Sequence, residues 1–284
     1  MCLLHKHKTL PVITHWLEIS PPLAHFLSRY MLETVDIRLQ FQSLYPASEL
    51  QLQAWTNLPT RLNAEGTWYA IDIPYLKTTA DGRHLFQRAL RPTSPGHFEL
   101  TYRASHKAAP DSFQWLGSYT DNVVLQIEPP ATGATWTQRP NPVEILPSVY
   151  VGNFMAASQA AILGFDAVLN MAEELNPTFT VESNIAYHKL PCQDGARHPI
   201  PAAYLKEAIA WIEQQLTLGK QRILVHCRAG IGRSGSVGIA YCFYKQPHWS
   251  YPRVLEYVWH KKPDIYPHQK LQETLEQLFP RPCH

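Results

Sequence analysis

The sequence predicts an α/β domain, a central and mostly parallel sheet flanked by helices, preceded by an antiparallel β-sandwich domain. Three observations carry this reading. Between about Thr34 and Glu128, apolar and polar residues alternate with period two in short runs separated by turn formers. Beyond residue 148, short β-branched runs alternate with stretches of helical spacing. Between the two lies a proline-dense segment. A length of 284 residues suits two domains, and 45% apolar against 17% charged residues excludes a largely disordered chain.

Taken in order, residues 1–30 mix Pro11, Pro21 and Pro22 with short apolar pieces and read as an extension with at most one short helix. Residues 31–128 form the sandwich. Val35-Ile37-Leu39-Phe41 alternates with Asp36, Arg38 and Gln40, as a half-buried strand does. Leu50-Leu52-Ala54, Trp68-Ala70-Ile71-Ile73, Phe98-Leu100-Tyr102 and Val123-Leu125-Ile127 repeat the pattern. Asn57 with Pro59, Glu65-Gly66, Asp81-Gly82, Pro95-Gly96 and Gly117 divide these runs. Residues 129–143 read as a stiff linker. In 144–280, strands are expected at Val149–Val151, Ala167–Leu169, Ala186–Leu190 and Ile223–Val225. Helices are expected at Met155–Ile162, Ala202–Leu216, Ser234–Tyr244, Tyr251–His260 and Gln269–Phe279, the second with Leu205, Ile209, Ile212 and Leu216 on one face.

A net charge of +2 gives no reason to invoke nucleic acid or an anionic membrane, so any basic site is local. Five scattered cysteines (Cys2, Cys192, Cys227, Cys242, Cys283) without metal spacing suit reduced thiols. With no secretory signal and no run of about 18 apolar residues, the expectation is a soluble, cytoplasmic protein.

The chemistry concentrates in His226-Cys227-Arg228-Ala229-Gly230-Ile231-Gly232-Arg233-Ser234, between a short strand and a helix. A tight loop of this kind turns successive N–H groups inward as a nest for a phosphate dianion, and the helix aims its positive end at the same point. Gly230 and Gly232 permit unusual backbone angles. Arg233 can close the ring with two parallel hydrogen bonds, and the same positive field favours a nucleophilic thiolate at Cys227. Arg228, Ala229, Gly230, Ile231, Gly232 and Arg233 are therefore the candidate phosphate-binding residues. Ser234 can offer its hydroxyl to the sulfur, and His226 can hold the loop backbone. A lone cysteine after a strand is usually core packing; one with His before it, Arg six positions on and Ser next is not readily obtained by chance. No G-x-x-x-x-G-K-[ST] loop occurs.

Ester cleavage also needs an acid for the departing oxygen. Between Glu182 and Glu207 the one carboxylate is Asp194, in Leu190-Pro191-Cys192-Gln193-Asp194-Gly195, a loop able to fold over the site. An Asp-Gly turn is the plainer reading of the same pair. Cys192 is read as a buried apolar residue rather than a redox partner.

These residues resemble the atypical, compact dual-specificity phosphatases, cysteine-dependent members of the protein tyrosine phosphatase family, over about residues 142–280. The resemblance rests on Glu144-Ile145-Leu146-Pro147 before Val149-Tyr150-Val151-Gly152, and on Val168-Leu169-Asn170-Met171-Ala172. It continues through Leu190-Pro191 with Asp194, the signature loop, and Leu255-Glu256-Tyr257-Val258 with Lys262-Pro263. It implies hydrolysis of phosphate esters through a phosphocysteine, with Cys227, Arg233, Asp194, Ser234 and His226 in the catalytic site and neither metal nor cofactor. A fainter likeness joins residues 31–128 to starch- and glycogen-binding modules. It is carried by Leu52-Gln53-Ala54-Trp55, Gly66-Thr67-Trp68-Tyr69, Phe98 to Arg103, and Trp115 with Asp121-Asn122-Val123. It implies sugar rings stacked on Trp55, Trp68 and Trp115. Together the two halves resemble glucan phosphatases and imply a phosphoglucan substrate. The alternative is a phosphoprotein phosphatase whose sandwich binds a protein partner.

Overall fold

The computed structural model describes residues 11–118, 120–129, 138–180 and 183–281. The chain divides into two compact units: residues up to Leu58 with Gly66–Glu128, and Pro59–Glu65 with the residues from Pro129 on.

The first unit is β-rich. One sheet has the order β1 (His15–Ser20), β3 (Val35–Gln42), β7 (His84–Leu90), β6 (Tyr75–Thr78). The other runs β2 (Phe26–Tyr30), β10 (Val123–Glu128), β8 (Gly96–His106), β4 (Leu50–Thr56), β5 (Tyr69–Asp72), with β9 (Gln114–Trp115) paired to β8. Alternation decides which face is buried. Val35, Ile37, Leu39 and Phe41 of β3 point inward, as do Leu50, Leu52 and Ala54 of β4 and Val123, Leu125 and Ile127 of β10. Three sequence expectations are corrected. Residues 15–20 and 26–30 are strands of these sheets rather than an extension with a helix, since period-two spacing across Trp16, Glu18 and Arg29 was obscured by the prolines between. The unit is not wholly antiparallel, because β2 pairs parallel to β10. Trp68 precedes its strand instead of opening it.

The second unit has a five-stranded sheet of order β11 (Val143–Leu146), β12 (Val149–Gly152), β15 (Ile223–His226), β13 (Ala167–Ala172), β14 (Ala186–Cys192). β12, β15, β13 and β14 run parallel, and β11 is the antiparallel edge. Both faces are covered, which is why β13 and β15 are apolar nearly throughout and buried at every position. Val151, Leu169 and Val225 face a core shared with α2 (Ala202–Thr217), α3 (Arg233–Lys245), α4 (Tyr251–Lys261) and α5 (Leu271–Leu278). Val168 and Leu224 face a smaller core with α1 (Phe154–Ser158). That helix is shorter than expected, giving way to turns before Gly164 (φ 71°). Of the Pro-rich stretch 129–143, residues 130–137 lie outside the described residues; Asn141 and Val143 already belong to this unit rather than to a linker.

Candidate active site

β15 ends at His226, and the chain turns through six residues before α3 begins at Arg233. Three carbonyl groups of this loop point away from its centre onto fixed donors. Phe154 N–H donates to Arg228 O (3.1 Å), Asn141 Nδ2 to Ala229 O (3.0 Å) and Tyr266 N–H to Ile231 O (3.3 Å). Turning those carbonyls outward directs the intervening N–H groups inward, the arrangement of an anion nest. Asn141 is held in turn, its Oδ1 accepting from Asn153 N–H (2.8 Å).

The two loop glycines are required for different reasons. Gly230 has φ 75°, and a Cβ there would lie 2.5 Å from the Gly152 carbonyl carbon. Gly232 is not left-handed: φ is −89° with ψ −81°, outside the usual helical and extended regions. Its constraint is steric: a Cβ would meet the Tyr266 hydroxyl at 2.6 Å and the ring at 2.7 Å.

Cys227 is buried, with Sγ 3.2 Å from Ser234 Oγ; once the sulfur is a thiolate, Ser234 is the donor. His226 is fully buried and donates from Nδ1 to Cys227 O (3.3 Å). Burial holds its pKa down at about 4, so it stands neutral and shapes the backbone instead of supplying a proton. Cys192 and Cys242 are buried thiols pushed up to about 12 by their surroundings, burial first. Cys2 and Cys283 lie outside the described residues.

Arg233 is fully buried. Its Nη1 donates to Glu174 Oε2 (2.7 Å) and to Cys192 O (3.0 Å), and its Nη2 to Glu174 Oε1 (2.9 Å). Asp194 Oδ2 lies 3.2 Å from Nη2 and 3.9 Å from Arg228 Nε. The buried Nε of Arg233 has no protein partner among the described residues, which leaves that edge of the guanidinium as a donor toward a ligand. Arg228 is not a spare cation, since its Nε lies 3.3 Å from Glu174 Oε1. Partial burial raises the Glu174 carboxyl, but the hydrogen bonds and charge of Arg233, with the charge of Arg228, outweigh it and bring it down to about 2.

The structure thus gathers Cys227, Arg228, Arg233, Ser234, His226 and Asp194 at one end of the sheet. Asp194 is also the turn residue of the plainer reading: Gly195 N–H donates to its Oδ1 (3.0 Å) with Gly195 at φ 100°. Sequence reasoning missed Glu174, Asn141 and Tyr266. Glu174 carried a usable signal. It follows a strand parallel to the one that ends just before Cys227, with Asn170 opposite His226, and parallel sheets present their sites at the carboxyl ends of strands. Asn170 bends the chain there, its Oδ1 accepting from Ala172 N–H and its Nδ2 donating to Leu175 O.

In the first unit, Trp55, Trp68 and Trp115 come together on the outer face. Trp55 and Trp68 are near-parallel (19°, centroids 6.3 Å apart), and Trp115 stands edge-on to Trp55 (82°). Trp68 and Trp115 are 40% and 45% exposed, which excludes them from the core. The Arg103 guanidinium packs on Trp55 and Phe113, 4.6 and 3.7 Å from the ring centroids. With Glu99, Thr101 and Asn122 the tryptophans line a cleft of about 920 Å³.

Among the described residues no cluster of three or more His, Cys, Asp or Glu side chains could hold a metal ion, and no helix is long and apolar enough to cross a membrane.

A loop of outward-turned carbonyls closed by a buried arginine, at the mouth of a parallel sheet, is a geometry suited to holding a phosphate beside a cysteine. Residues 149–279 match the family model described as dual specificity phosphatase, catalytic domain. Dual specificity protein phosphatase 1-B of Xenopus laevis is 36% identical over 103 residues, 35% of this chain and 27% of that protein. Dual specificity protein phosphatase 2 of Mus musculus is 38% identical over 103 residues, 35% of this chain and 31% of that protein. These matches span less than a third of the relatives' own length. The solved structure of DUSP15 is 28% identical and covers 48% of this chain and 86% of its own, with a TM-score of 0.43.

Proposed function

We propose that the chain hydrolyses phosphate monoesters through a phosphocysteine intermediate. The observation that carries this is Cys227 Sγ, 3.2 Å from Ser234 Oγ, in a loop whose carbonyls are engaged outside it. The thiolate attacks phosphorus, and the inward N–H groups with Arg233 Nε–H take the equatorial oxygens. The phosphorus–oxygen bond breaks, and the leaving oxygen receives the proton of Asp194. The Asp194 carboxylate then takes a proton from water, whose oxygen attacks phosphorus. Sulfur departs as thiolate, accepting the Ser234 hydroxyl hydrogen bond. Cys227→Ser should abolish turnover; normal turnover in that variant sinks the reading.

For the substrate, the matched relatives are named protein phosphatases, which supports phosphotyrosine, phosphoserine and phosphothreonine side chains. A second reading, a phosphoglucan, is favoured by one feature: the exposed tryptophan cleft on a unit read as a β-sandwich. Flat indoles suit the C–H faces of pyranose rings, and Glu99, Thr101 and Asn122 suit hydroxyl groups. Turnover of phosphotyrosine peptide, phosphothreonine peptide and phosphorylated amylopectin, measured in parallel, separates the two. Retention on amylose resin that survives combined Trp55→Ala, Trp68→Ala and Trp115→Ala rules out glycan binding at this cleft.

A further inference from the structure

Between α4 and α5 runs a segment that carries no reacting group, yet it is tied to the elements that do. Tyr266 N–H donates to Ile231 O in the phosphate loop (3.3 Å). His268 N–H donates to Ser236 Oγ in the first turn of α3 (3.0 Å). The other two ties reach the loop of Asp194: Gln269 N–H donates to Ala196 O (2.7 Å), and His268 Nδ1–H to His198 O (2.7 Å). Those carbonyls sit two and four residues past Asp194. The strap therefore spans from the loop holding the nucleophile to the loop holding the acid.

His268 is the one side chain in this set of ties to the acid loop. It is 2% exposed, its ring lies nearly parallel to Tyr266 (17°, centroids 6.0 Å apart), and its Nε2 has no partner among the described residues. Leaving a buried acceptor unpaired is costly, so the residue is held for its single donor. Within the turn itself His198 N–H closes back on Gly195 O (3.1 Å), so fixing His198 fixes the whole Asp194–His198 turn.

We propose that His268 is a positioning residue for the general acid: through the His198 carbonyl it sets where Asp194 stands relative to Cys227. This rests on the phosphatase reading above. A displaced acid cannot protonate a poor leaving group, whereas a good one departs without help. His268→Leu fills the same space and removes the donor, and His268→Asn restores one.

The test is turnover of two aryl phosphates, phenyl phosphate and one with a strongly acidic phenol, with vanadate inhibition as a measure of the phosphate loop. His268→Leu is expected to lower kcat on phenyl phosphate by roughly 10- to 100-fold, part of the ~10²–10⁴ that general acid catalysis supplies. On the acidic phenol and in vanadate affinity the change should stay within about threefold, and His268→Asn should recover most of the loss. In an Asp194→Asn background, His268→Leu should cost nothing further on phenyl phosphate. An equal fall on both substrates, no fall on either, or a further fall without Asp194 overturns the proposal. So does failure of both His268→Leu and His268→Met to fold, which would make the residue a core residue. A wild-type protein that turns over neither substrate fails the phosphatase reading instead, which keeps the two outcomes distinct.

Discussion

Glu174 holds Arg233 by its two terminal nitrogens, a bidentate grip that leaves Nε–H for the ligand. Removing that grip releases the guanidinium to rotate. Glu174→Ala is therefore expected to raise the inhibition constant of vanadate by about tenfold, a loss of about 1.4 kcal/mol. An unchanged constant would show that Cys192 O and Asp194 suffice. At Gly232 the demand is spatial, and Gly232→Ala must displace the Tyr266 ring. A loss of about 1–3 kcal/mol in denaturant unfolding is expected. At this scale the sequence was legible where chemistry is contiguous, as in Cys227, Arg233 and Ser234, which lie within eight residues. It was not legible where chemistry is assembled. Glu174, Asn141 and Tyr266 reach the loop from three other segments; Glu174 is signalled only by its place after a parallel strand, and nothing in their neighbours announces Asn141 or Tyr266.

At the scale of elements, two buried imidazoles set a pH limit. His226 supports the loop at the end of β15, and His268 holds the strap before α5; burial depresses both, to about 4. An unfolded chain protonates them near pH 6.5, so between 6.5 and 4 the unfolded state binds more protons. Stability should be full above about pH 6.5 and fall as the pH drops toward 4, by at most about 1.4 kcal/mol per pH unit for each group. Urea unfolding at stepped pH reads this, and combined His226→Asn and His268→Asn should flatten the slope. Helices and central strands were readable because α2 keeps helical spacing and β15 is a short, unbroken run of apolar residues. β7 was not, since its burial does not alternate, and β1 and β2 were hidden among prolines.

Over the whole molecule, the two units present unlike surfaces. One gathers charge: Arg228, Arg233, Glu174 and Asp194 lie within 4 Å of one another as opposed pairs. The other gathers exposed indoles over a cleft of about 920 Å³. If the second surface brings substrate to the first, the triple alanine replacement of Trp55, Trp68 and Trp115 should raise KM on phosphorylated amylopectin while leaving kcat on a small aryl phosphate unchanged. Equal KM values would detach the cleft from catalysis. The sequence located these tryptophans, but their exposure follows from strand register, Trp55 standing opposite Thr101 and Ala70, which no local pattern specifies.

The state of the buried thiols has a practical outcome for labelling. With Cys192 and Cys242 kept protonated at neutral pH, they are poor targets for alkylation. Cys227 alone among the described cysteines lies in the loop proposed to hold phosphate. An electrophile bearing a phosphonate should therefore mark Cys227 in the native protein, with the other two following only after denaturation, as peptide mass spectrometry would show. That selectivity would make the active fraction of a preparation countable by titration.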